Sequence, residues 1–320
     1  MATVEQYIGR RETLGLGIEA TPGTGVASQS WMRWLEQDLK PKTTVVENES
    51  AIGVVDRVED SEITSRQMEG KIGGKITIDT VGFILLGMWG TVTSSEPAAG
   101  ITTHTFAVKQ SSIPTTLSIT SVTPLRTQRY AYATIESFEM EAEAGKYVTF
   151  SSSVKARIGV TATDTPALTT QTEFTSKHIT LKLASTPGGI AGATKLKARS
   201  LKVSAERKAD DFVPLGSSDE VEFDLGAFEP KGEFVVRCTS DEYEVAFLAN
   251  TKQAMEIAMV NGTKSLAFAA SKVRFRELEY SKDKDEVVTA TISFYCEFDT
   301  TTNSSLVPVL KNAVEEYVAA

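Results

Sequence analysis

The chain is poor in the residues that most often carry out chemistry. Among 320 residues it has two histidines, His104 and His178, and two cysteines, Cys238 and Cys296. Neither histidine belongs to a metal-binding spacing such as HExxH, and the cysteines form no CxxC pair. No Gly-x-Ser-x-Gly motif or complete phosphate-binding loop is present either. The sequence therefore predicts no catalytic residues, no metal site and no cofactor in a protein that is not an enzyme.

Long hydrophobic segments and disulfide frameworks are also missing. The longest strongly apolar run, residues 81–89 (VGFILLGMW), is far too short to cross a bilayer. Residues 1–30 are charged and lack an apolar stretch of signal-peptide length. Two cysteines are most simply buried thiols of a protein made in a reducing compartment. We expect synthesis in the cytoplasm and no membrane partner.

The charge balance limits the possible partners. Lys and Arg number 33 and Asp and Glu number 42, which gives a formal charge of −9. A protein that grips nucleic acid needs clustered cations to neutralise phosphates, so an acidic chain is unsuited to that task. The same charge suits a surface that DNA only slides past.

Alternation of apolar and polar residues dominates what is present, and period 2 is typical of half-buried strands. It is clearest over residues 148–160, which a turn at Gly145 connects to the alternating run before them. The predicted strands are residues 35–46, 70–79, 138–142, 148–160, 178–184, 199–207, 231–239, 253–260, 271–280 and 288–298. So many short strands without long helical patterns predict a mainly β fold, a β-sandwich or barrel.

Helical signals are few. Asp79 can cap a short helix that runs through Trp89 and ends at Gly90, and Asp241 can cap a second one through Ala249. Apolar residues at helical spacing over residues 304–318 predict a helix in the C-terminal tail, residues 304–320.

A long acidic segment, residues 47–69, separates two predicted strands. Unstructured loops of this length are uncommon in compact domains and are usually functional or disordered. A merely solvated loop has no need of the apolar residues found here, which favours a loop that becomes ordered against a partner. The predicted contact residues are Ile52, Val54, Val55, Asp56, Arg57, Val58, Glu59, Ile63 and Arg66.

The sequence also contains an internal echo. Residues 70–86 and 231–248 share a glycine-bearing start, a strand, an aspartate and a short apolar helix. The echo predicts two related halves, residues 35–160 and 178–303, joined by a threonine-rich linker.

Several segments in the same order resemble the tail tube (major tail) proteins of long, non-contractile-tailed bacteriophages. Residues 15–24 (GLGIEATPGT) resemble that family's opening run, and residues 70–90 resemble its glycine-rich strand and short helix. Residues 133–155 resemble its central acidic hairpin, and residues 199–249 resemble its second half.

The resemblance implies a β-sandwich or barrel in residues 35–303 that assembles into hexameric rings stacked as a hollow tube in the virion tail. It implies that an N-terminal arm, residues 1–34, and the loop 47–69 reach the next ring. Head-to-tail contacts that close a ring can pair edge strands around it, so some sheet continuation between subunits is expected. The implied partners are further copies of the chain, the tape measure protein in the lumen, tail-tip and tail-terminator proteins, and double-stranded DNA that passes through to the host.

Two other functions remain open at the level of sequence. A monomeric β-sandwich that recognises carbohydrate or a receptor would need an aromatic binding platform and would not self-associate. A tube protein of a related cellular injection system would form similar rings.

Overall fold

The computed structural model describes residues 6–98, 100–282 and 284–319, and the chain in these ranges is mainly β with large antiparallel sheets. We divide it into two units by their strand pairings. The first unit contains β1 (Thr13–Ile18), β2 (Ser30–Met32), β3 (Trp34–Gln37), β4 (Lys40–Asn48), β5 (Asp60–Lys75), α1 (Val81–Trp89), β6 (Gly90–Ala98), β7 (Ile101–Val108), β8 (Leu117–Val122), β9 (Thr127–Glu143), β10 (Thr149–Arg157) and β11 (Val160–Thr161).

The second unit follows after a linker without regular structure. It contains β12 (Ile179–Ala184), β13 (Lys195–Leu196), β14 (Ala198–Glu206), β15 (Ala209–Phe212), β16 (Glu222–Leu225), β17 (Glu229–Arg237), α2 (Glu242–Leu248), β18 (Gln253–Asn261), β19 (Lys264–Tyr280), β20 (Thr289–Cys296) and β21 (Val307–Asn312). The 3₁₀ turns Gly9–Arg11 and Ser176–His178 precede β1 and β12, and a third one, Pro187–Gly192, follows β12.

Strand β9 organises the first unit. Its N-terminal half pairs with β8, which pairs with β1, and β1 pairs with β2. Its C-terminal half pairs with β10, which pairs with β5. Because β9 is 17 residues long and has irregular register in both halves, it carries the chain from one layer of the sandwich to the other.

The second unit repeats this scheme with β19 in the place of β9. Strand β19 pairs first with β18 and then with β20, β12 pairs with β18 and β13, and β17 pairs with β20. The register irregularities recur at equivalent places in the two units. Those of the first unit, at Trp34/Glu36, Leu117/Ile119 and Ser153/Val154, match in order those of the second, at Ala198/Ser200, Gln253/Met255 and Phe275/Glu277. Three matched bulges show that the two units share one topology, and the sequence echo falls on equivalent elements, β5–α1 and β17–α2.

One hydrophobic core serves both units. Every residue of α1 is buried, and the ring of Trp89 packs against Phe138 of β9, Phe228 before β17 and Phe268 of β19 at centroid distances of 5.9, 5.6 and 6.3 Å. The sheets are also continuous, because β9 pairs with β14 and β7 pairs with β21. The units are therefore parts of one folded body.

The helix predicted for residues 304–318 is wrong. Residues 307–312 form β21 between β19 and β7, and Pro308, Leu310 and Asn312 are buried in strict alternation. The rest of the tail lies against α1, where the buried ring of Tyr317 contacts Phe83 and occupies the space that a side chain at Gly82 would fill. These residues form a strand rather than a helix because β19 and β7 both offer an edge with which it can pair.

Two further boundaries differ from the sequence prediction. Residues 13–34 do not form a free arm, since β1 is buried between β8 and β2; residues 1–5 of the predicted arm lie outside the described residues. The loop predicted for residues 47–69 is shorter, because β4 extends to Asn48 and β5 begins at Asp60. What was expected to be a loop is mainly a long β-hairpin.

The short helices lie where the sequence places them, but the predicted caps differ in detail. Helix α1 has Thr80 rather than Asp79 at its N-cap, and it ends at Gly90 in the left-handed conformation with φ 91°. Asp241 holds the N-cap position of α2 through its backbone, since Val245 N donates to its carbonyl and its side chain makes no cap hydrogen bond. Neither helix start therefore depends on a hydrogen bond from a capping side chain.

Candidate assembly surfaces

The most exposed part of the molecule is the hairpin formed by β4 and β5, which we call the first hairpin (residues 40–66). Every residue from 40 to 64 is exposed, on both faces of the two strands. Val45, Val46 and Ile63 keep about half of their surface accessible, at 49%, 55% and 47%. An isolated two-stranded hairpin is marginally stable in water, and exposed apolar strands invite pairing with another chain. The first hairpin is therefore the candidate surface for contact with a partner.

The tip of this hairpin contains most of the predicted contact residues. Ile52, Val54, Val55 and Val58 are all exposed there, and the adjacent Asp56 and Glu59 are exposed as well. Arg57 donates to Glu49 at 2.6 Å, which closes the tip on itself. The structure therefore brings the predicted residues together on one projecting element, with Ile63 on its β5 strand.

Arg66 is different, because it is already engaged within the chain. Its guanidinium makes two hydrogen bonds of 2.7 Å to the carboxylate of Asp219, and its backbone N–H donates to Ser218 O at 2.7 Å. This planar two-bond geometry is the strongest form of an arginine–carboxylate pair, although both side chains remain partly exposed. Arg66 joins the base of the first hairpin to the second unit.

Strands β15 and β16 form a second hairpin (residues 209–225) at the equivalent place in the second unit. Ala209 pairs with Leu225 as Val45 pairs with Ile63 in the first hairpin. Unlike the first, it folds onto the first unit, where buried Phe223 packs edge-on against Tyr132 at 5.8 Å. One hairpin thus packs against the other unit, whereas its counterpart contacts the other unit only through Arg66 at its base, among the described residues.

Polar contacts fix the second hairpin in place. The ammonium group of Lys155 donates to Asp211 at 2.8 Å and to the carbonyl of Ala209 at 2.9 Å, and Gln67 also donates to Asp211. Burial alone would raise the pKa of Asp211, but the hydrogen bonds from Lys155 and Gln67 outweigh it and lower the pKa. Sequence reasoning missed this hairpin because its charged start, residues 206–211, reads as a solvated turn.

A broad polar face lies on the sheet that joins the units, over β10, β9, β14, β17 and β20. Serine and threonine alternate with buried residues on β10 and β20. The cations Lys202 and Lys231 each contact a glutamate at 2.9 Å, Glu139 and Glu206 respectively. Positive charges on this face are thereby partly neutralised.

The two histidines have structural contacts. His104 is buried, with Nδ1 at 2.8 Å from Ser94 Oγ and Nε2 at 2.9 Å from the carbonyl of Val314. His178 Nδ1 accepts from the backbone of Thr175 at the start of a 3₁₀ turn. Within the part of the chain that the structure describes, no group of acidic, histidine and cysteine side chains is placed to hold a metal ion. No described helix is long and apolar enough to cross a membrane.

Comparison with protein families agrees with the fold. A family model described as phage tail tube protein matches residues 9–296, which is most of the chain. The chain belongs to the phage tail tube family. Comparison with curated proteins finds no match. Members of a tail tube family are structural proteins that assemble with one another in the virion tail, and the mainly β fold of this tail tube protein is as the sequence predicts.

Proposed function

We propose that this protein assembles into closed rings that stack as the hollow tail tube, through which DNA is ejected into the host. The observation that carries the proposal is the first hairpin, which extends from the body with apolar side chains exposed on both faces. In a monomer such a surface is a liability for aggregation. In a tube, it supplies the contact between subunits.

The two units bear on the number of chains in each ring. The resemblance to tail tube proteins implies hexameric rings, with six positions around the bore. Because each chain contains two units of one topology, three chains can fill six positions. We therefore infer a ring of six units from three chains of 34.6 kDa each, rather than from six chains.

The first hairpin is the element that we assign to contacts between neighbouring subunits or rings. The tip residues Ile52, Val54, Val55 and Val58 supply apolar area, and Asp56 and Glu59 supply polar groups at the rim of that area. Arg66 contributes indirectly by anchoring the base of the hairpin to Asp219.

We assign the polar face of the joined sheet to the bore. Serine and threonine side chains with paired lysines hold phosphates weakly, whereas free arginine clusters would trap DNA. The same face would contact the tape measure protein in a filled tail, and tail-tip and tail-terminator proteins would cover the rings at the two ends. With a formal charge of −9 per chain, the wall is expected to be net negative.

Electron microscopy and native mass spectrometry of the purified protein test the proposal. Hollow tubes or rings are expected, with the mass of three chains in each single ring; a protein that stays monomeric at high concentration would overturn it. Single rings with the mass of six chains would retain the tube and reject the ring of three chains.

A shortened hairpin tests the first hairpin specifically. Replacing residues 49–59 by Asn-Gly should keep the protomer folded and abolish stacking, because the tip is exposed and makes no core contact. The change should stop at residue 59, since residues 67–75 pair with β10. The matched control deletes residues 166–167 of the linker between β11 and β12, which are also exposed and lie outside the proposed contacts between chains. Normal tubes from the Asn-Gly variant would contradict the role of the tip.

A further inference from the structure

The junction between the two units inside the chain is a sheet contact with a defined register. The C-terminal half of β9 pairs antiparallel with β14, with Glu139 opposite Ser204 and Ser137 opposite Glu206. Two backbone bonds flank the junction, from Arg207 N to Glu136 O and from Ala144 N to Arg199 O. The ion pair between Lys202 and Glu139 crosses it at 2.9 Å.

The equivalents of these two strands lie at open edges of the molecule. The place of β14 is taken in the first unit by residues 36–42, at the end of β3 and the start of β4, which pair with β5 on one side. The place of β9 is taken in the second unit by residues 276–281, which pair with β20 on one side. On the other side of both segments, the described residues contain no pairing strand.

The repeated register fixes which residues are equivalent. Gly70 and Gly232 each pair with the residue next to a matched bulge, Val154 and Phe294. Lys40 pairs with the residue before Gly70, and Ser204 pairs with the residue before Gly232, so Lys40 corresponds to Ser204.

The same bulge shows which residues of β19 correspond to those of β9. Ser137 follows the bulge in β9 and Glu277 follows it in β19, so Glu277 corresponds to Ser137 and Glu279 to Glu139. Since Ser204 lies opposite Glu139 within the chain, Lys40 of one copy would lie opposite Glu279 of another.

We propose that residues 36–42 of one chain pair antiparallel with residues 276–281 of a second copy, with Lys40 opposite Glu279 and Lys42 opposite Glu277. This inference rests on the proposed function, and it names the contact that closes the ring. The sheet that crosses β9–β14 within each chain then continues from chain to chain, and the contact between chains repeats the one inside them.

Charge complementarity supports this register. The β4 edge has lysines at two alternating positions, and the β19 edge has glutamates at the two positions opposite them, all exposed on the polar face of the sheet. Opposite charges directly across an antiparallel pair stabilise it, and like charges destabilise it. A shift of the register by one residue would place Lys40 opposite Leu278 or Tyr280 and lose both pairs.

Backbone geometry supports it as well. Asp38 N donates to Lys71 O on β5, and Arg66 N donates away from β4 to Ser218 O, so the odd-numbered residues 37, 39, 41 and 43 direct their backbone groups to the open edge. Lys40 and Glu279 then form a pair without backbone bonds between them, the kind with the closest side chains. Pro41 lacks an N–H and removes one bond from the ladder, as is common on edge strands, while its carbonyl remains available.

The 3₁₀ turns before β1 and β12 are also equivalent in the two units. Ser176, in the turn before β12, hydrogen bonds to Lys146 O and to Gly145 N in the turn after β9. The equivalent turn Gly9–Arg11 would meet the loop after β19 in the neighbouring copy. Arg10 in the first and Glu286 in the second have opposite charge, so this contact would reinforce the pairing.

Cysteine cross-linking in assembled tubes tests the register directly. K40C with E279C, in a C238S background that removes the half-buried thiol, should give disulfide-linked chains on mild oxidation, because directly opposed residues have the required Cα separation. K71C with E279C is the control: Lys71 has the same exposure but lies one strand further in, and no linked chains are expected. Tubes without the K40C–E279C cross-link would overturn the proposal.

Charge reversal provides a second, independent measurement. K40E and E279K should each raise the protein concentration needed for assembly by about tenfold, and the two together in one chain should restore it. K71E, on the same face, should leave assembly unchanged. Wild-type assembly by both single variants would overturn the junction while leaving the tube intact. A wild-type protein that never assembles would instead overturn the proposed function.

Discussion

A small group of buried polar side chains fastens the C-terminal tail to the first unit. Asn312 Nδ2 donates to the carbonyl of Ile78 at 3.0 Å and to the hydroxyl of Tyr317 at 2.7 Å, and that hydroxyl donates to the carbonyl of Asp79 at 3.1 Å. His104 bonds to Val314 beside them. Because buried polar groups are costly when unpaired, this network specifies one position for the tail.

The pKa of His104 makes this network sensitive to acid. Burial lowers the pKa below its ordinary value of 6.5, and the hydrogen bonds to Val314 and Asn312 and the charge of Glu316 oppose the shift without cancelling it. Below pH 6.5 the unfolded chain therefore binds more protons than the folded one, and the free energy of unfolding falls as the pH falls towards the folded pKa.

We expect the urea midpoint to drop between pH 7.5 and pH 5.5, and the drop to be smaller in His104→Gln. His178→Gln is the matched control, since the side chain of His178 is only half-buried, in a turn. An unchanged pH dependence in His104→Gln would show that other groups cause the loss of stability.

At the scale of elements, a buried aromatic contact holds the second hairpin against the first unit. Phe223 is fully buried against Tyr132, whereas Phe212 on the same hairpin is 56% exposed. Phe223→Ala should cost about 3–5 kcal/mol of local stability and release the hairpin from the first unit. Phe212→Ala should leave it docked.

Limited proteolysis and amide hydrogen exchange over residues 209–225 would measure the release. Faster cleavage and exchange are expected in Phe223→Ala alone. Equal protection in the two variants would mean that the polar contacts of Asp211 and Asp219 are sufficient to dock the hairpin.

The elements that the sequence predicted well are those with one buried face. Strand β10 alternates over residues 149–157 because one side faces the core, although the predicted alternation ran on to the exposed Val160, and α1 ends at a glycine that the left-handed conformation requires. The first hairpin has no buried face, so only its β4 strand was predicted, the exposed start of β5 at residues 60–64 read as loop, and composition alone indicated a partner. Residues 306–317 fit both helical and strand spacing, and only the distant strands β7 and β19 decide between them.

The candidate assembly surfaces divide in the same way. The apolar tip residues could be chosen from the sequence as candidates for a contact, because valine and isoleucine are anomalous in a solvated loop. The open edges at residues 36–42 and 276–281 were not, because an edge differs from a central strand only in its missing neighbour. Arg66 was assigned to a contact between subunits, since the position of Asp219, more than 150 residues away, cannot be read from the sequence.

At the scale of the whole molecule, the repeated topology and the shared core favour different kinds of unfolding. Repeats that contact only their neighbours can unfold separately. Here Trp89 of the first unit packs against Phe228 and Phe268 of the second, β9 pairs with β14, and β7 pairs with β21. Exposing the core of one unit therefore exposes that of the other.

The protomer should consequently unfold in a single cooperative transition despite its 320 residues and two units. In calorimetry below the concentration for assembly, the calorimetric and van't Hoff enthalpies should agree. Trp89→Ala should lower the single melting temperature, by removing contacts to both units at once. Two resolved transitions, of which only one moves in Trp89→Ala, would show that each unit has a core of its own and that the contacts across β9–β14 are as separable as those we propose between chains.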